Sequence, residues 1–355
     1  MVTNPFIINE GSALHGVCLR RDRLTVMALL IGTSGWSYPS GKGTWNGLFY
    51  PATRSKRDGT KDFDELRFYG EHFDTVEVNS TFYGQPRADV TRTWVARTRP
   101  GFNFSVKLYQ KFTHPSMFKD AALKRAPGAQ GALLDLLAEV TQSDIDEFRA
   151  GVDPLAEAGR LGALLAQFPA SFKDSPAARD YLAQLLRAFD DYPVAVELRH
   201  KSWSDAVGET VSMLNAFGAA WVQIDEPKFR FSIRQNFLPN VTSFYYMRLH
   251  GRNAAAWWRH EKSEDRYNYL YSADELREFS DVASAATALV KKSYLYTNNH
   301  FSSKSVVNAV MLKAQVGQPI AGEYPPELVE QYPELAGLVT SSPRARAPVP
   351  SRLPV

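Results

Sequence analysis

Val194-Ala-Val-Glu-Leu-Arg-His200 is a short apolar, β-branched run that turns charged at its end. Such a run, bounded by polar residues, reads as a strand. Seven more runs of this kind occur at Leu29–Thr33, Thr75–Asn79, Asn103–Lys107, Ala163–Gln167, Ala220–Asp225, Phe244–Leu249 and Ser293–Thr297. The gaps hold segments with apolar residues at three- and four-residue spacing, namely 62–72, 88–98, 177–190, 205–217, 273–289 and 304–315, which reads as helix. Alternating strand and helix imply right-handed crossovers and a parallel sheet. Eight units without an obvious linker predict an α/β fold: a single TIM-barrel-like (β/α)8 domain over residues 29–317, with an open doubly wound sheet as the competing arrangement. Stretches near 52–61 and 118–152 are longer than a connection needs and read as insertions over one rim. Residues 1–28 lack periodicity and read as a poorly ordered extension, and 318–355 as a Pro/Arg-rich tail, disordered from Ser341 onward.

Composition agrees with a globular barrel. The 355 residues are 44% hydrophobic and 22% charged, which excludes a disordered or collagen-like chain. Lys plus Arg number 41 against 38 acidic residues, an excess too small for a protein that coats nucleic acid but compatible with an anionic ligand. Cys18 is the single cysteine, so an intramolecular disulfide and a cysteine-based zinc site are excluded. No disulfide-linked partner is expected, and the cytoplasm is the expected compartment. Arg20-Arg21 hints at an export signal, but cleavage after it would remove the first strand. No apolar run approaches the ~20 residues of a membrane helix, so no membrane partner is expected.

In a barrel the active site lies at the carboxyl ends of the strands. Those ends are polar here: Glu77 and Asn79, Lys107, Gln167, Glu197 with Arg199 and His200, Asp225, Arg248 with His250, and Asn298 to His300. Alternate residues of a strand share a face, so Glu77 with Asn79, Glu197 with Arg199 and Arg248 with His250 should converge on one cavity. Glu77, Glu197, Asp225 and His250 are the candidate catalytic residues. Asn79, Lys107, Arg199, Arg248 and Asn298 are candidate binding residues, with Trp36 and Tyr83 among the rim aromatics that could form a stacking wall. Static Glu–Arg pairs that knit the barrel explain any one residue equally well; the set is harder to dismiss, because each buried charge costs several kcal/mol unless paired. Glu77, Glu197, Asp225, His200, His250 and His300 are acceptable ligands for a divalent metal, although no local motif sets their spacing. The glycine-rich Gly35–Gly43 stretch does not have phosphate-loop spacing, and neither G-x-S-x-G nor H-E-x-x-H occurs.

These strand ends resemble a known family, the YecE-like proteins (domain of unknown function 72). The resemblance is carried in order by Ile31-Gly-Thr-Ser-Gly-Trp-Ser-Tyr38, Phe49-Tyr-Pro51, Phe73-Asp-Thr-Val-Glu-Val-Asn-Ser-Thr-Phe-Tyr83, Phe104-Ser-Val-Lys107 with Thr113-His114, Gln167-Phe-Pro169, Val196-Glu-Leu-Arg-His200 with Trp203, Arg248-Leu-His-Gly251 and Thr297-Asn-Asn-His300. It implies a TIM-barrel-like fold of unassigned activity. Residues 253–266, with Trp257 and Trp258, depart from the family's short aromatic stretch after the seventh strand. By fold analogy such barrels are similar to sugar isomerases and zinc-dependent endonucleases, although the histidines a trinuclear zinc site demands are missing. The leading expectation is an enzyme, of hydrolase or isomerase type, acting on a phosphorylated or other anionic small molecule. Lys107, Arg199 and Arg248 would clamp the anion, Glu77 or Glu197 would serve as base, and His250 would carry the proton. A nucleic-acid binding or processing protein, and a metabolite-binding protein without turnover, are the alternatives.

Overall fold

A computed structural model describes residues 28–52, 63–125, 131–235, 243–258 and 263–341. Nine parallel strand segments form one sheet: β1 (Ala28–Ser34), β2 (Thr75–Val78), β3 (Asn103–Lys107), β4 (Leu161–Gln167), β5 (Val194–Glu197), β6 (Ala220–Trp221), β7 (Gln223–Asp225), β8 (Tyr245–Leu249) and β9 (Lys292–Thr297). Their order is β6-β5-β4-β3-β2-β1-β9-β8-β7. Only Val222 separates β6 from β7, and its N–H still donates to Val196 of β5 at 2.9 Å. The two segments are therefore one interrupted stave, and the sheet closes through it into an eight-stave barrel. All eight expected runs lie on these staves.

Helices cover the outside: Glu65–His72, Ala88–Ala96, Gln142–Glu157, Pro176–Ala188, Val207–Ala216, Ala273–Thr287 and Lys304–Gln315. Their starts are encoded locally. Ser272 and Thr141 each accept from a backbone N–H three residues on, while Glu275 and Asp144 reach back to the cap. Among the described residues no helix joins β7 to β8, so the unit pattern is incomplete there. The insertion expected at 118–152 contributes helices Pro115–Arg125 and Gly131–Ala138, whereas Gln142–Glu157 belongs to the outer ring. That helix docks on Ala88–Ala96, with Thr91 Oγ1 donating to the Gly151 carbonyl at 2.7 Å. Residues 1–27, most of the 52–61 insertion and 342–355 lie outside the described residues.

Inside the barrel, tyrosines take the place of an aliphatic filling. Tyr246, Tyr294 and Tyr296 are fully buried, and each hydroxyl has a partner: Glu77, Asn103, and Thr75 with Ser105. Aromatic bodies fill the volume and their hydroxyls bind polar neighbours, which avoids the cost of an unsatisfied buried group.

One boundary needs correction. Residues 318–341, assigned from the sequence to the tail, fold against the barrel: Glu323–Tyr324 pairs with Thr340–Ser341, and Tyr324, Leu328 and Leu335 are buried. Tyr324 meets the His72 ring edge-on at 4.7 Å, and His72 Nε2 lies 3.0 Å from the Glu323 carbonyl. Prolines 325, 326 and 333 break up the periodicity that would have marked the segment as structured. Leu328→Ala should therefore lower unfolding free energy by about 2–5 kcal/mol in urea titration. A loss below about 0.5 kcal/mol would show that the segment does not pack.

Candidate active site at the carboxyl end of the barrel

Parallel register places the site. Ser34 pairs with Glu77, Gln167 with Glu197, and Arg248 with Tyr296, so these side chains face inward together. Glu197 is followed in the same parity by Arg199, and Arg248 by His250. Gly35, at φ +87, turns the chain out of β1 where a Cβ would meet the Tyr38 hydroxyl at 2.6 Å.

Arg248 is the centre of the cluster. Its Nε and Nη2 donate to the two oxygens of Glu77 at 2.9 and 2.6 Å, and Nη1 donates to Glu197 at 2.5 Å and to Gln167 at 3.0 Å. Glu77 also accepts from Ser34 at 2.8 Å and Tyr246 at 2.7 Å, so both its oxygens are saturated. Glu197 holds Arg199 through Nε at 2.7 Å. Burial alone would raise the Glu197 carboxyl, but Arg248, Arg199 and His250 outweigh it and keep it well below the usual carboxylate range. Asn298 Nδ2 lies 2.8 Å from His250 Nδ1, while His250 Nε2 lies 3.5 Å from Glu197 and 3.3 and 3.4 Å from the guanidinium groups of Arg199 and Arg248. Burial, with Arg248 and Arg199 adding to it, drives His250 down to about 3, so it is a neutral ring near pH 7 and not the ready proton carrier expected from its type.

Over this layer lies a cleft of two adjoining cavities, about 510 and about 470 Å³, which share Tyr83, Lys107, Met117, Gln167, Arg266 and Tyr267. One extends past Arg199, Glu226, Phe229 and Phe231; the other extends past Tyr38, Asn79, Arg248, Asn298 and His300. Lys107 stands at their junction with its Nζ 4.0 Å above the Phe82 ring. No carboxylate among the described residues is within ion-pairing distance of it. Burial, reinforced by Arg248 and Arg199 and only partly opposed by Glu197 and Glu77, brings its amine down to about 7. Glu226 is pushed up, chiefly by burial, against the pull of Arg199 Nη1 at 3.4 Å.

Of the eleven residues expected at the site, nine surround this cleft or its floor: Glu77, Asn79, Tyr83, Lys107, Glu197, Arg199, Arg248, His250 and Asn298. Two do not. Asp225 pairs in register with Leu249 and so faces the helical layer, where Arg252 grips it at 2.8 and 3.0 Å and Tyr271 at 2.7 Å; the inward residues of that stave are Ile224 and, by parity, Glu226. Trp36 packs edge-on against Trp94, ring centroids 5.6 Å apart, as part of the outer packing. Glu226, Arg266 and Tyr267 were missed. Alternate residues onward from Val222 lead to Glu226; Arg266 and Tyr267 end a short 3-10 turn, Ser263–Tyr267, too brief to carry a periodic signal. A metal finds no room among the carboxylates, since the oxygens of Glu77 and Glu197 face guanidinium donors. Among the described residues no group of three or more His, Cys, Asp or Glu is arranged to hold an ion.

A closed α/β barrel with a buried Glu–Arg–Glu layer beneath a mixed-charge cleft is thus the class of protein defined by fold and site. The chain belongs to the family described as "Protein of unknown function DUF72", whose profile matches residues 30–330. It is similar to UPF0759 protein YunF of Bacillus subtilis, 24% identical over 311 residues, covering 84% of this chain and 99% of that one. UPF0759 protein YecE of Escherichia coli is 29% identical over 189 residues, 53% of this chain and 54% of its own length. Among solved structures, a DUF72 family protein from Thermotoga maritima superposes with a TM-score of 0.64 at 30% identity, covering 82% of this chain and 99% of that one. One from Enterococcus faecalis, 21% identical with a TM-score of 0.63 over 82% of this chain and 98% of that one, shares the fold.

Two substitutions should separate scaffold from function. Arg248→Met strands two buried carboxylates and should cost about 3–5 kcal/mol of stability. Lys107→Met should act in the opposite direction. The unfolded chain binds a proton here up to the ordinary lysine range while the folded chain releases it near 7, so native Lys107 lowers stability at neutral pH, and stability recovers as pH rises from 7 toward 10. Lys107→Met should raise stability at pH 7 by about 1–3 kcal/mol and flatten that rise. Chemical denaturation at pH 7 and pH 9.5 checks both; a large loss at Lys107 would make it a structural residue.

Proposed function

We propose that this cleft binds a small anionic substrate and that the protein is an enzyme acting on it. The supporting observation is that Lys107, Arg199 and Arg266 line one cavity, and that Lys107 and Arg266 have no carboxylate partner among the described residues. Arg266 lies over Trp257 at 5.5 Å and donates Nε to its carbonyl at 3.1 Å, which orients the guanidinium toward an anion. Tyr83, Tyr267, Phe229 and Phe231 supply an apolar wall for the substrate's carbon skeleton.

In this reading Arg248 belongs to the floor, and Glu77 and Glu197 hold it there. Proton transfer falls to Lys107 and Glu226, whose pKa values move toward neutrality from opposite sides, as general acid–base chemistry requires. That pairing suits isomerase or hydrolase chemistry on an anion. Nucleic acid is the competing partner, but Glu226 and Glu264 in the walls of two modest cavities favour a compact ligand over a polyanion. The single cysteine is in keeping with a reducing compartment such as the cytoplasm. Among the described residues no helix is long and apolar enough to cross a membrane.

Differential scanning fluorimetry against inorganic phosphate, sugar phosphates, di- and tricarboxylates and oligonucleotides tests this. At least one small anion should raise the melting temperature, and Arg266→Ala should weaken it about tenfold or more while leaving the unliganded melting temperature unchanged. Stabilisation by oligonucleotides alone, fading steeply with salt, would overturn the reading.

A further inference from the structure

We infer that the cleft takes a carbonyl compound that also bears a carboxylate or phosphate, and that Lys107 Nζ captures its carbonyl carbon as an imine. The inference rests on the small-anion reading above and narrows it. An amine meant only to clamp an anion gains by staying charged, and guanidinium forks do that work better. Here Arg199 and Arg266 already supply two guanidinium groups to the cavity that Lys107 enters, so a third cation adds little, and Glu197 and Glu77 only partly offset the repulsion it suffers. The same surroundings favour the neutral amine, which is the nucleophile. The Phe82 face, 4.0 Å from Nζ, covers one side of the amine.

The chemistry balances without a further reagent. The Nζ lone pair attacks the carbonyl carbon, the C=O π pair moves to oxygen, and the ammonium proton passes to that oxygen to give a carbinolamine. A proton then reaches the hydroxyl, the C–O bond breaks, water leaves and the nitrogen lone pair forms the C=N bond of the iminium. Glu226 is the donor in reach of the cavity: it is 5% exposed, and its Oε2 makes no hydrogen bond. Arg199, 3.4 Å from it, would hold the substrate anion beside it.

Trapping with cyanoborohydride reads this out. The full-length protein is incubated at pH 7 with pyruvate, with dihydroxyacetone phosphate and with neutral dihydroxyacetone, and each lysine is mapped by peptide mass. The ionisable groups facing Lys107 are Arg248, Arg199, Arg266, Glu197, Glu77 and the neutral ring of His114; burial together with the arginines leaves on the order of a thousandfold more neutral amine at pH 7 than an ordinary lysine has. Lys107 should therefore be alkylated at least about tenfold faster than any surface lysine by one of the anionic carbonyls, the carboxylate and phosphate arms telling which anion is preferred. Neutral dihydroxyacetone should label it weakly, inorganic phosphate should compete, and the rate should level off above pH 7. Lys107→Met, which keeps the fold, should lose that adduct alone. If inorganic phosphate stabilises the wild type and not Arg266→Ala, yet Lys107 is labelled no faster than surface lysines, the imine is refuted and the anion site stands. If neither phosphate binding nor labelling appears, both readings fall.

Discussion

Arg248 holds one proton-rich guanidinium between two carboxylates at the centre of a closed barrel, and the rest of the site is arranged around that constraint. With Glu77, Glu197 and Arg248 all essentially removed from solvent, none of the three tolerates loss of its partners. Their neighbours complete the layer: Ser34 and Tyr246 donate to Glu77, Gln167 accepts from Arg248, and Arg199 donates to Glu197 with His250 beside it. Five different staves contribute, so the layer ties the sheet together across its interior, where a barrel otherwise relies on packing alone. It also sets the field felt by whatever stands above it. Two guanidinium groups just below Lys107 deter it from keeping its proton, and two carboxylates already committed to those groups can only partly offset them.

The barrel was legible because its signal is redundant. Eight runs of strand composition separated by helical spacing leave few topologies, and a misjudged boundary at one end of β4 or β5 does not change the count. The interrupted sixth stave shows the limit. Its run, Ala220–Asp225, reads as a strand and ends on an acid, yet a single step along a strand exchanges the core face for the helical face, so the inward acid is the residue after it. Asp225 consequently proved to be the anchor of Arg252 and Tyr271, and Glu226 the acid in the cleft. Arg266 and Tyr267 were illegible for a different reason: they reach the cleft from a long loop after β8, and nothing in local spacing says where such a loop returns. Residue type also misled. Histidine is the usual proton carrier near neutral pH, yet His250 is too deeply buried among cations to titrate there, while lysine, ordinarily a fixed charge, is moved into the working range.

Read this way, the charged residues of the barrel mouth divide by whether their charge is answered. Arg248, Glu77 and Glu197 are fully answered and support the fold; Lys107 and Arg266 have no carboxylate partner among the described residues, which is what the proposed anion site builds on. A partly exposed lysine without a carboxylate partner among the described residues costs the fold stability near neutral pH, a cost typical of working sites. The central claim is therefore that Lys107 loses its proton near neutrality in the folded protein. Selective ¹³Cε-lysine labelling with heteronuclear NMR across pH 5 to 11 measures it directly: one lysine resonance should titrate with a midpoint near 7 and be absent from Lys107→Met, whereas a spectrum in which every lysine titrates in the ordinary range near 10 would contradict the account.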